Sequence, residues 1–248
     1  SNLENNLIIF YLYFDLFKYL RIKNGFHLNQ NSILEFLWFN RVFGEDTYDN
    51  LSKFMMPANI ISIKKNIFLI EKYWFPNFKK NNLSISQASK KFIFLLKQSI
   101  KRLTSDNKKY GIFLSGGHDS RLIISSFDIP PTSFTVGFSK NFEAKCAKEI
   151  ARKLNTKNIF IKLDKDHFTI NLDKITRICG GQFTFYDAIF TGLDDHYFNN
   201  VDYIFHGHGL DYFFQGMYLP TEYYKILSSP IFFKKHKFQY MNLNDEFI

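Results

Sequence analysis

The sequence predicts an α/β fold built on a parallel β-sheet. From about residue 84 to residue 207, short apolar runs alternate with amphipathic segments. The apolar runs are only five to seven residues long, and a turn rich in glycine and serine follows the first of them. Strands buried between two helical layers read as such short apolar runs, and strand-helix alternation is typical of a parallel sheet.

Two elements are predicted before this alternation. The stretch ILEFLWFNRVF, residues 33–43, predicts a short helix after Ser32. Residues 59–74, NIISIKKNIFLIEKYW, contain two β-rich runs around Lys65 and Asn66, and this pattern predicts a hairpin.

A long helix is predicted to open the sheet region. Ser84 is followed three residues later by Gln87, which is the spacing of a capping box. Apolar residues then recur at helical intervals and predict a helix ending near residues 105–107. They are Phe92, Leu96, Ile100 and Leu103.

The remaining elements alternate between strand and helix. The predicted strands are residues 110–114, 133–138, 158–163 and 201–207. The predicted helices are residues 119–127 and 143–154, with further helical segments between the third strand and about Phe198. The second of these helices carries apolar residues on one face, at Ala144, Ala147, Ile150, Ala151 and Leu154.

The composition is that of an ordinary globular protein, with 46% apolar and 22% charged residues among 248. Cys146 and Cys179 form no CxxC pair, which argues against a disulfide framework or zinc site and predicts a cytoplasmic protein. The apolar run at residues 7–20 is too short to cross a bilayer, so no membrane partner is expected. The net charge of +9 comes from scattered basic pairs. This pattern favours solvated surface over nucleic-acid binding, although the positive field would attract a nucleotide triphosphate.

The turn at residues 115–120, SGGHDS, carries the strongest functional signal. It follows a predicted strand and opens a helix, a position where backbone N–H groups and the helix dipole stabilise phosphate. Gly116 and Gly117 permit positive φ and close approach of a ligand to the backbone. Asp119 would repel phosphate unless it holds Mg²⁺. The alternatives are a simple helix N-cap at Asp119 and a glycine-rich turn without a ligand.

This turn resembles the PP-loop, S-G-G-x-D-S, of the ATP pyrophosphatases. The Walker A and Rossmann glycine patterns are absent from it. The resemblance implies a Rossmann-like, adenine nucleotide alpha-hydrolase-like domain that binds ATP and Mg²⁺. The implied nucleotide-binding residues of the loop are Leu114, Ser115, Gly116, Gly117, Asp119 and Ser120.

Two further stretches resemble the asparagine synthetase family. Residues 133–138 resemble its second strand, which implies a backbone contact from Val136 to adenine. Residues 206–218, HGHGLDYFFQGMY, resemble its second glycine-rich motif, matching at Gly207, Gly209 and Asp211. The resemblance implies that Asp211 helps Asp119 to hold Mg²⁺ and that His206 and Gly207 bind the nucleotide.

His208 stands where asparagine synthetases have Glu. In the family this position faces the reacting substrate, and a histidine there could accept a proton from an attacking amine. The resemblance therefore implies three catalytic residues, Asp119, Asp211 and His208. The alternative for His208 is a loop histidine bonded to backbone. Tyr212 replaces a second family acid and Gln215 a glycine, and these changes argue against plain asparagine synthesis.

Several other residues receive weaker assignments. His118 is interpreted as a local packing residue, and Arg121 is a candidate for contact with a phosphate or an acid. Residues 180–193 fall where family members line the acceptor pocket. The candidate substrate contacts are Gln182, Thr184 and Asp187, and the predicted core residues are Phe183, Phe185 and Phe190.

The resemblance runs from about residue 32 to residue 218 and predicts two domains. Residues 1–83 would be the remnant of an N-terminal glutaminase-like α+β region with its linker, and residues 84–248 the ATP-binding domain. No cysteine precedes Cys146, so glutamine hydrolysis is not assigned to this chain. A helical part carrying the family's catalytic lysine would lie beyond Ile248, so the chain is expected to be a fragment or one part of a split system.

The resemblance implies an AMP-forming ligase. Its partners would be a small-molecule carboxylate and ammonia or an amine, the ammonia coming from a separate glutaminase. Two alternatives remain: a PP-loop ATP pyrophosphatase that modifies tRNA, and a non-catalytic subunit that binds nucleotide.

Overall fold

The computed structural model describes residues 8–10, 12–23, 25–64, 67–75, 82–180, 188–210, 221–223 and 234–236. The last two stretches are described by their backbone alone. The described residues fall into two compact units. The first takes in residues from 1–87 and 163–195, and the second takes in residues from 88–162 and 196–248. The predicted boundary after residue 83, and the glutaminase-like character of the residues before it, stay predictions.

The helices and strands of the described residues follow one another along the chain as follows: α1 (Tyr13–Ile22), α2 (Gln30–Phe39), β1 (Asn59–Lys64), β2 (Ile67–Lys72), α3 (Ile85–Leu103), β3 (Tyr110–Phe113), α4 (His118–Ile124), β4 (Thr132–Gly137), α5 (Phe142–Lys153), β5 (Asn158–Lys162), α6 (His167–Ile170), α7 (Leu172–Cys179), β6 (Tyr203–Phe205), β7 (Thr221–Tyr223) and β8 (Lys234–His236). A 3-10 helix at Asp195–Phe198 precedes β6.

A four-stranded parallel sheet lies at the centre of the second unit, in the order β5-β4-β3-β6. Ile112 of β3 pairs with Ser133 of β4 on one side and with Phe205 of β6 on the other. The chain moves from β3 through β4 to β5 and then returns to the far side of β3. Strand order therefore reverses between β3 and β6, and ligands of such sheets bind beyond the carboxyl ends of the strands at this switch.

The parallel α/β architecture predicted from the sequence is confirmed. β3 is buried because α3, α4 and α5 cover it with apolar side chains. The buried cluster consists of Ile100, Ile112, Leu114, Ile123, Ile124, Ala147 and Ala151. The predicted face of α5 is also confirmed, since Ala144, Ala147 and Ala151 are buried and Ile150 and Leu154 are partly buried. Leu103, the last residue of α3, is exposed.

The start of α3 confirms the predicted capping box. The Ser84 backbone N–H donates to Oε1 of Gln87 over 2.9 Å, and the Gln87 N–H donates to Ser84 Oγ over 3.3 Å. Two donors that a helix start leaves without intrahelical acceptors are thus satisfied.

The first helix predicted from the sequence was misplaced by three to four residues. α2 begins at Gln30 because the Asn29 side chain accepts a hydrogen bond from the Ser32 N–H over 3.3 Å. Asn29 is thus the N-cap, and Ser32 lies inside the helix, only 2% exposed. The helix ends at Phe39 because Asn40 adopts the left-handed conformation, at φ 55°.

Other parts of the first unit agree only partly with the sequence prediction. The β1–β2 hairpin is confirmed, with Ile61 opposite Ile70, while its predicted turn at Lys65 and Asn66 lies outside the described residues. The apolar run at residues 7–20 contributes α1, which the sequence did not predict. None of the helices in the described part of the chain has the length and apolar character needed to cross a bilayer.

A buried carboxylate organises the first unit. Asp49 is 1% exposed and accepts hydrogen bonds from the Tyr13 hydroxyl over 3.1 Å and from the Leu51 and Ser52 N–H groups over 2.9 and 2.7 Å. The Thr47 and Ser52 hydroxyls also contact it. Burial raises the pKa of Asp49, but these hydrogen bonds outweigh that effect and hold the pKa below its usual value.

Asp49→Ala is expected to lower the free energy of unfolding by roughly 2–4 kcal/mol, because it leaves several buried donors without an acceptor. The folded-state pKa of Asp49 is depressed, so its contribution is present above the ordinary carboxyl pKa and is lost as pH falls through the folded-state value. Urea unfolding at pH 7 and at acid pH measures both effects.

Asp46→Ala is the matched control, since Asp46 is an exposed acid paired with exposed Lys53. If Asp49→Ala cost no more than this control at pH 7, or if its cost grew as pH fell, the structural role given to Asp49 would be wrong.

Candidate functional site

The end of β3 is held firmly before the loop begins. The Leu114 N–H donates to the Phe134 carbonyl over 2.8 Å, and the Thr135 hydroxyl donates to the Leu114 carbonyl over 2.8 Å. Leu114 and Phe134 are buried. The loop that follows therefore leaves the sheet from a fixed point, beside the carboxyl end of β4.

Two serines of the loop bond to each other. The hydroxyl oxygens of Ser115 and Ser120 lie 3.0 Å apart, and the Ser115 N–H donates to Ser120 Oγ over 3.1 Å. The Gly117 N–H donates to Ser115 Oγ over 3.1 Å. Ser120 is only 4% exposed, whereas Ser115 is exposed. These contacts curve the loop back onto the first turn of α4, and direct contact of either hydroxyl with a ligand stays a prediction.

Close packing, rather than positive φ, explains the glycine at position 116. A Cβ on Gly116 would lie 2.9 Å from Glu143 Cα, at the start of α5. Gly117 is the N-cap of α4 and adopts φ −73°. Neither Gly116 nor Gly117 adopts the positive φ that glycine permits. Gly116 thus lets the loop lie against α5.

The loop after β6 touches the loop after β3. A Cβ on Gly207 would lie 2.9 Å from the Ser120 backbone N and 3.0 Å from Asp119 Cβ. Gly209 adopts φ 99°, a conformation that favours glycine. The two glycine-containing stretches singled out in the sequence therefore meet at the point where the strand order reverses.

Two histidines flank Gly207. The backbone N–H of His208 donates to Nδ1 of His206 over 3.2 Å, and the two rings lie 6.1 Å apart. Because Nδ1 of His206 accepts this bond, the proton of the neutral ring is assigned to Nε2. Both histidines are exposed at the carboxyl end of β6.

Asp119 lies in the first turn of α4 and is partly exposed. Arg121, two residues later, donates from Nε to the Gly117 carbonyl over 3.1 Å. Its side chain thus contacts the loop, and its predicted contact with a phosphate or an acid stays a prediction. Within the described residues, no group of three or more His, Cys, Asp or Glu side chains is placed to hold a metal ion. Asp211, the other predicted magnesium ligand, lies outside the described residues.

The other sequence-predicted residues have mixed outcomes. Val136 is partly exposed near the carboxyl end of β4. His118 is exposed, which does not fit its interpretation as a packing residue. Phe190 is 44% exposed, so its predicted place in the core is wrong. Seven further positions lie outside the described residues: Gln182, Phe183, Thr184, Phe185, Asp187, Tyr212 and Gln215.

The family model of asparagine synthase matches residues 92–235, which is more than half of the chain. The chain therefore belongs to the asparagine synthase family, a family of ATP-using ligases. The matched region contains both the 115–120 loop and the stretch around Gly207.

Among solved structures, the chain is similar to the NH3-dependent NAD synthetase from Campylobacter jejuni subsp. jejuni NCTC 11168 in complex with the nitrate ion. The identity is 14% and the TM-score 0.28, over 37% of this chain and 42% of that one. The chain thus spans less than half of that structure. The curated proteins contain no match.

Proposed function

We propose that the chain is the nucleotide-binding part of an amide-forming ligase that adenylates a substrate carboxylate. A carboxylate oxygen attacks the α-phosphorus of ATP, the bond to the β-phosphate breaks, and pyrophosphate leaves. Ammonia or an amine then attacks the acyl carbon and AMP leaves. Membership of the asparagine synthase family supports this proposal.

The observation that carries the proposal is the contact between the two loops. Gly207 lies against the backbone of Asp119 and Ser120, at the switch in strand order where parallel sheets bind ligands. The first turn of a helix offers N–H groups without intrahelical acceptors, and such an end stabilises phosphate. A nucleotide held there would have its phosphates at the 115–120 loop and its adenine beside Val136.

The described part of this site offers one carboxylate to a magnesium ion. The Asp119 carboxylate is partly exposed beside the loop, and carboxylate oxygens are the side-chain ligands that Mg²⁺ prefers. We propose that Asp119 and Asp211 hold it. When bound, the ion would neutralise charge on the leaving pyrophosphate.

The substrates remain defined only by class: a small carboxylate and an amine or ammonia. Gln182, Thr184 and Asp187 are proposed to contact the carboxylate substrate, and a separate glutaminase is the proposed source of ammonia. A cytoplasmic location also stays a prediction.

Exchange of labelled pyrophosphate into ATP, measured across a panel of carboxylic acids, tests the proposed reaction. We expect exchange that requires both Mg²⁺ and one class of acid. AMP release that depends on tRNA and ignores every acid would favour a tRNA-modifying enzyme instead. Binding of MgATP with no AMP formed under any condition would indicate a non-catalytic nucleotide-binding subunit.

His208→Ala is expected to separate the two half-reactions. We propose that His208 accepts the proton of the attacking amine, so its loss should slow amide formation by about 10²-fold, within the usual range for general base catalysis. Pyrophosphate exchange should change little, because that step precedes amine attack. The bond to His206 comes from the His208 backbone, so alanine retains it. Single-turnover assays of each step make this comparison.

His27→Ala is the control for this experiment, since His27 is an exposed histidine of the first unit. Equal loss of both half-reactions in His208→Ala would point to a structural role in the loop and would contradict the assignment of His208 as base.

A further inference from the structure

A groove lies at the amino ends of strands β3 and β4, at the opposite end of the sheet from the 115–120 loop. Its volume is about 730 Å³. We call it the lysine groove. It is lined by the C-terminal half of α3, by residues 126–132 up to the first residue of β4, and by Lys109, Tyr110 and Asn200. Tyr110 and Thr132 begin β3 and β4, so the lysine groove faces the amino ends of the strands, away from the 115–120 loop.

Three ammonium groups and one carboxylate line the lysine groove. The cations are Lys97, Lys101 and Lys109, and the acid is Asp128. Within the described part of the chain, none of the three lysines forms an ion pair. The groove therefore carries a net positive charge that its own acid does not neutralise.

Four of the five hydroxyl groups that line the groove donate to backbone carbonyls, and the fifth belongs to Thr132. Thr104 donates to Ile100 over 2.9 Å, Ser105 to Arg102 over 3.0 Å, and Ser126 to Leu122 over 2.7 Å. Tyr110 donates to the Leu103 carbonyl over 2.9 Å. The lysines are thus the main polar groups left for a ligand, which makes an anionic ligand the best match.

The wall formed by residues 126–132 is largely apolar. Ile129 is 86% exposed and is followed by Pro130 and Pro131. An exposed wall of this kind leaves the groove open, whereas small-molecule sites enclose most of the ligand surface. An open groove with a cationic wall and an apolar wall fits an extended peptide better than a small anion.

The spacing of the lysines agrees with such a peptide. Lys97 and Lys101 lie four residues apart on α3, which separates their Cβ atoms by roughly 6 Å. Alternate residues of an extended peptide are about 7 Å apart and point to the same side. Acidic residues at alternate positions could therefore face α3 while the intervening apolar residues face Ile129.

We propose that the lysine groove binds an acidic peptide segment of a partner protein, with carboxylates and apolar residues alternating along it. The proposal is independent of the proposed ligase activity. The groove is separate from the nucleotide site, so a chain without pyrophosphate exchange could still bind the peptide, and an active chain could fail to bind it.

The test uses a fluorescein-labelled peptide of alternating Glu and Leu, eight residues long, and measures anisotropy with the full chain at 0.15 M salt. Lys97→Glu/Lys101→Glu should weaken binding by about tenfold or more, as expected when two attractive ion pairs become repulsive. Lys90→Glu/Lys91→Glu is the matched control, because it changes the charge of α3 equally at residues outside the groove. Ile129→Asp should also weaken binding.

Three further probes distinguish an acidic peptide from other ligands: a basic peptide, inorganic tripolyphosphate and an RNA oligonucleotide. The same peptide with Lys in place of Glu should not bind. If both double variants weakened peptide binding equally, binding would depend only on the net charge of the chain and the proposal would be wrong. The proposal would also fail if inorganic tripolyphosphate or an RNA oligonucleotide bound through Lys97 and Lys101 while the acidic peptide did not bind. Thermal unfolding of each variant verifies that the chain remains folded.

Discussion

Asp119→Asn is expected to reduce Mg²⁺-dependent pyrophosphate exchange by about 100-fold or more, the scale of losing a group that positions charge on a leaving pyrophosphate. Asparagine has nearly the same shape as aspartate but carries no charge. The substitution should therefore leave α4 and the thermal stability of the chain nearly unchanged. The N-cap of α4 is Gly117, so the simple N-cap alternative for Asp119 is wrong. A selective loss of exchange would separate the proposed magnesium role of Asp119 from a structural role in the first turn of α4.

Asp128→Asn is the control for this substitution, since Asp128 is an exposed acid before β4 rather than in the 115–120 loop. Raising the magnesium concentration should recover part of the exchange in Asp119→Asn if the carboxylate binds the ion. Exchange at the wild-type level without Asp119 would show that this carboxylate takes no part in the reaction.

Gly207→Ala is expected to weaken MgATP binding by more than tenfold, because it pushes apart the two loops that form the proposed site. The new Cβ would lie 2.9 Å from the Ser120 backbone N and 3.2 Å from the Asp119 carbonyl carbon. Backbone atoms cannot turn aside as a flexible side chain can. Overpacking of this kind costs typically 1–3 kcal/mol of stability. Titration calorimetry with MgATP and urea unfolding measure the two effects.

Gly137→Ala controls for the change from glycine to alanine. Its Cβ would meet neighbours only at 3.6–3.9 Å, which is ordinary van der Waals contact, so stability should change little. If Gly207→Ala bound MgATP as tightly as the unmodified chain, the contact between the loops would have no part in nucleotide binding.

The sequence was informative where structure depends on neighbouring residues. The capping box at Ser84 and Gln87 formed as predicted because its hydrogen bonds span only three residues. The strand, turn and helix around residues 110–124 also formed, because a buried apolar strand followed by glycines and a helix start is a local pattern. The alanine face of α5 is buried because its spacing matches the helical period.

The family resemblance implied that the 115–120 loop and the stretch around Gly207 bind one nucleotide, but local sequence patterns did not predict the contacts between distant residues. The contact of Gly207 with Asp119 requires β6 to lie beside β3. The spacing of residues within one segment does not predict the order of strands in a sheet. The packing of Gly116 on Glu143 depends in the same way on the position of α5. The three lysines and the apolar wall of the lysine groove come from separate segments, so no single stretch of sequence indicates that site.

The predicted start of α2 was misplaced because two nearby residues could each serve as the N-cap. Both Asn29 and Ser32 are residues that cap helices well, and the sequence alone does not choose between them. The choice falls on Asn29 because Ser32 is buried inside the helix. Ser32 is the buried residue of the first turn, while Gln30 and Asn31 are exposed, so the burial of this one serine decides what capping preference leaves open.

A crystal structure of the chain with ATP and Mg²⁺ tests the central claim most directly. We predict that the β- and γ-phosphates contact backbone N–H groups of residues 115–120 at about 2.7–3.2 Å, with the cation on Asp119 and the loop around Gly207 on the opposite side. A nucleotide bound in the lysine groove, or one whose phosphates make no contact with residues 115–120, would contradict the account.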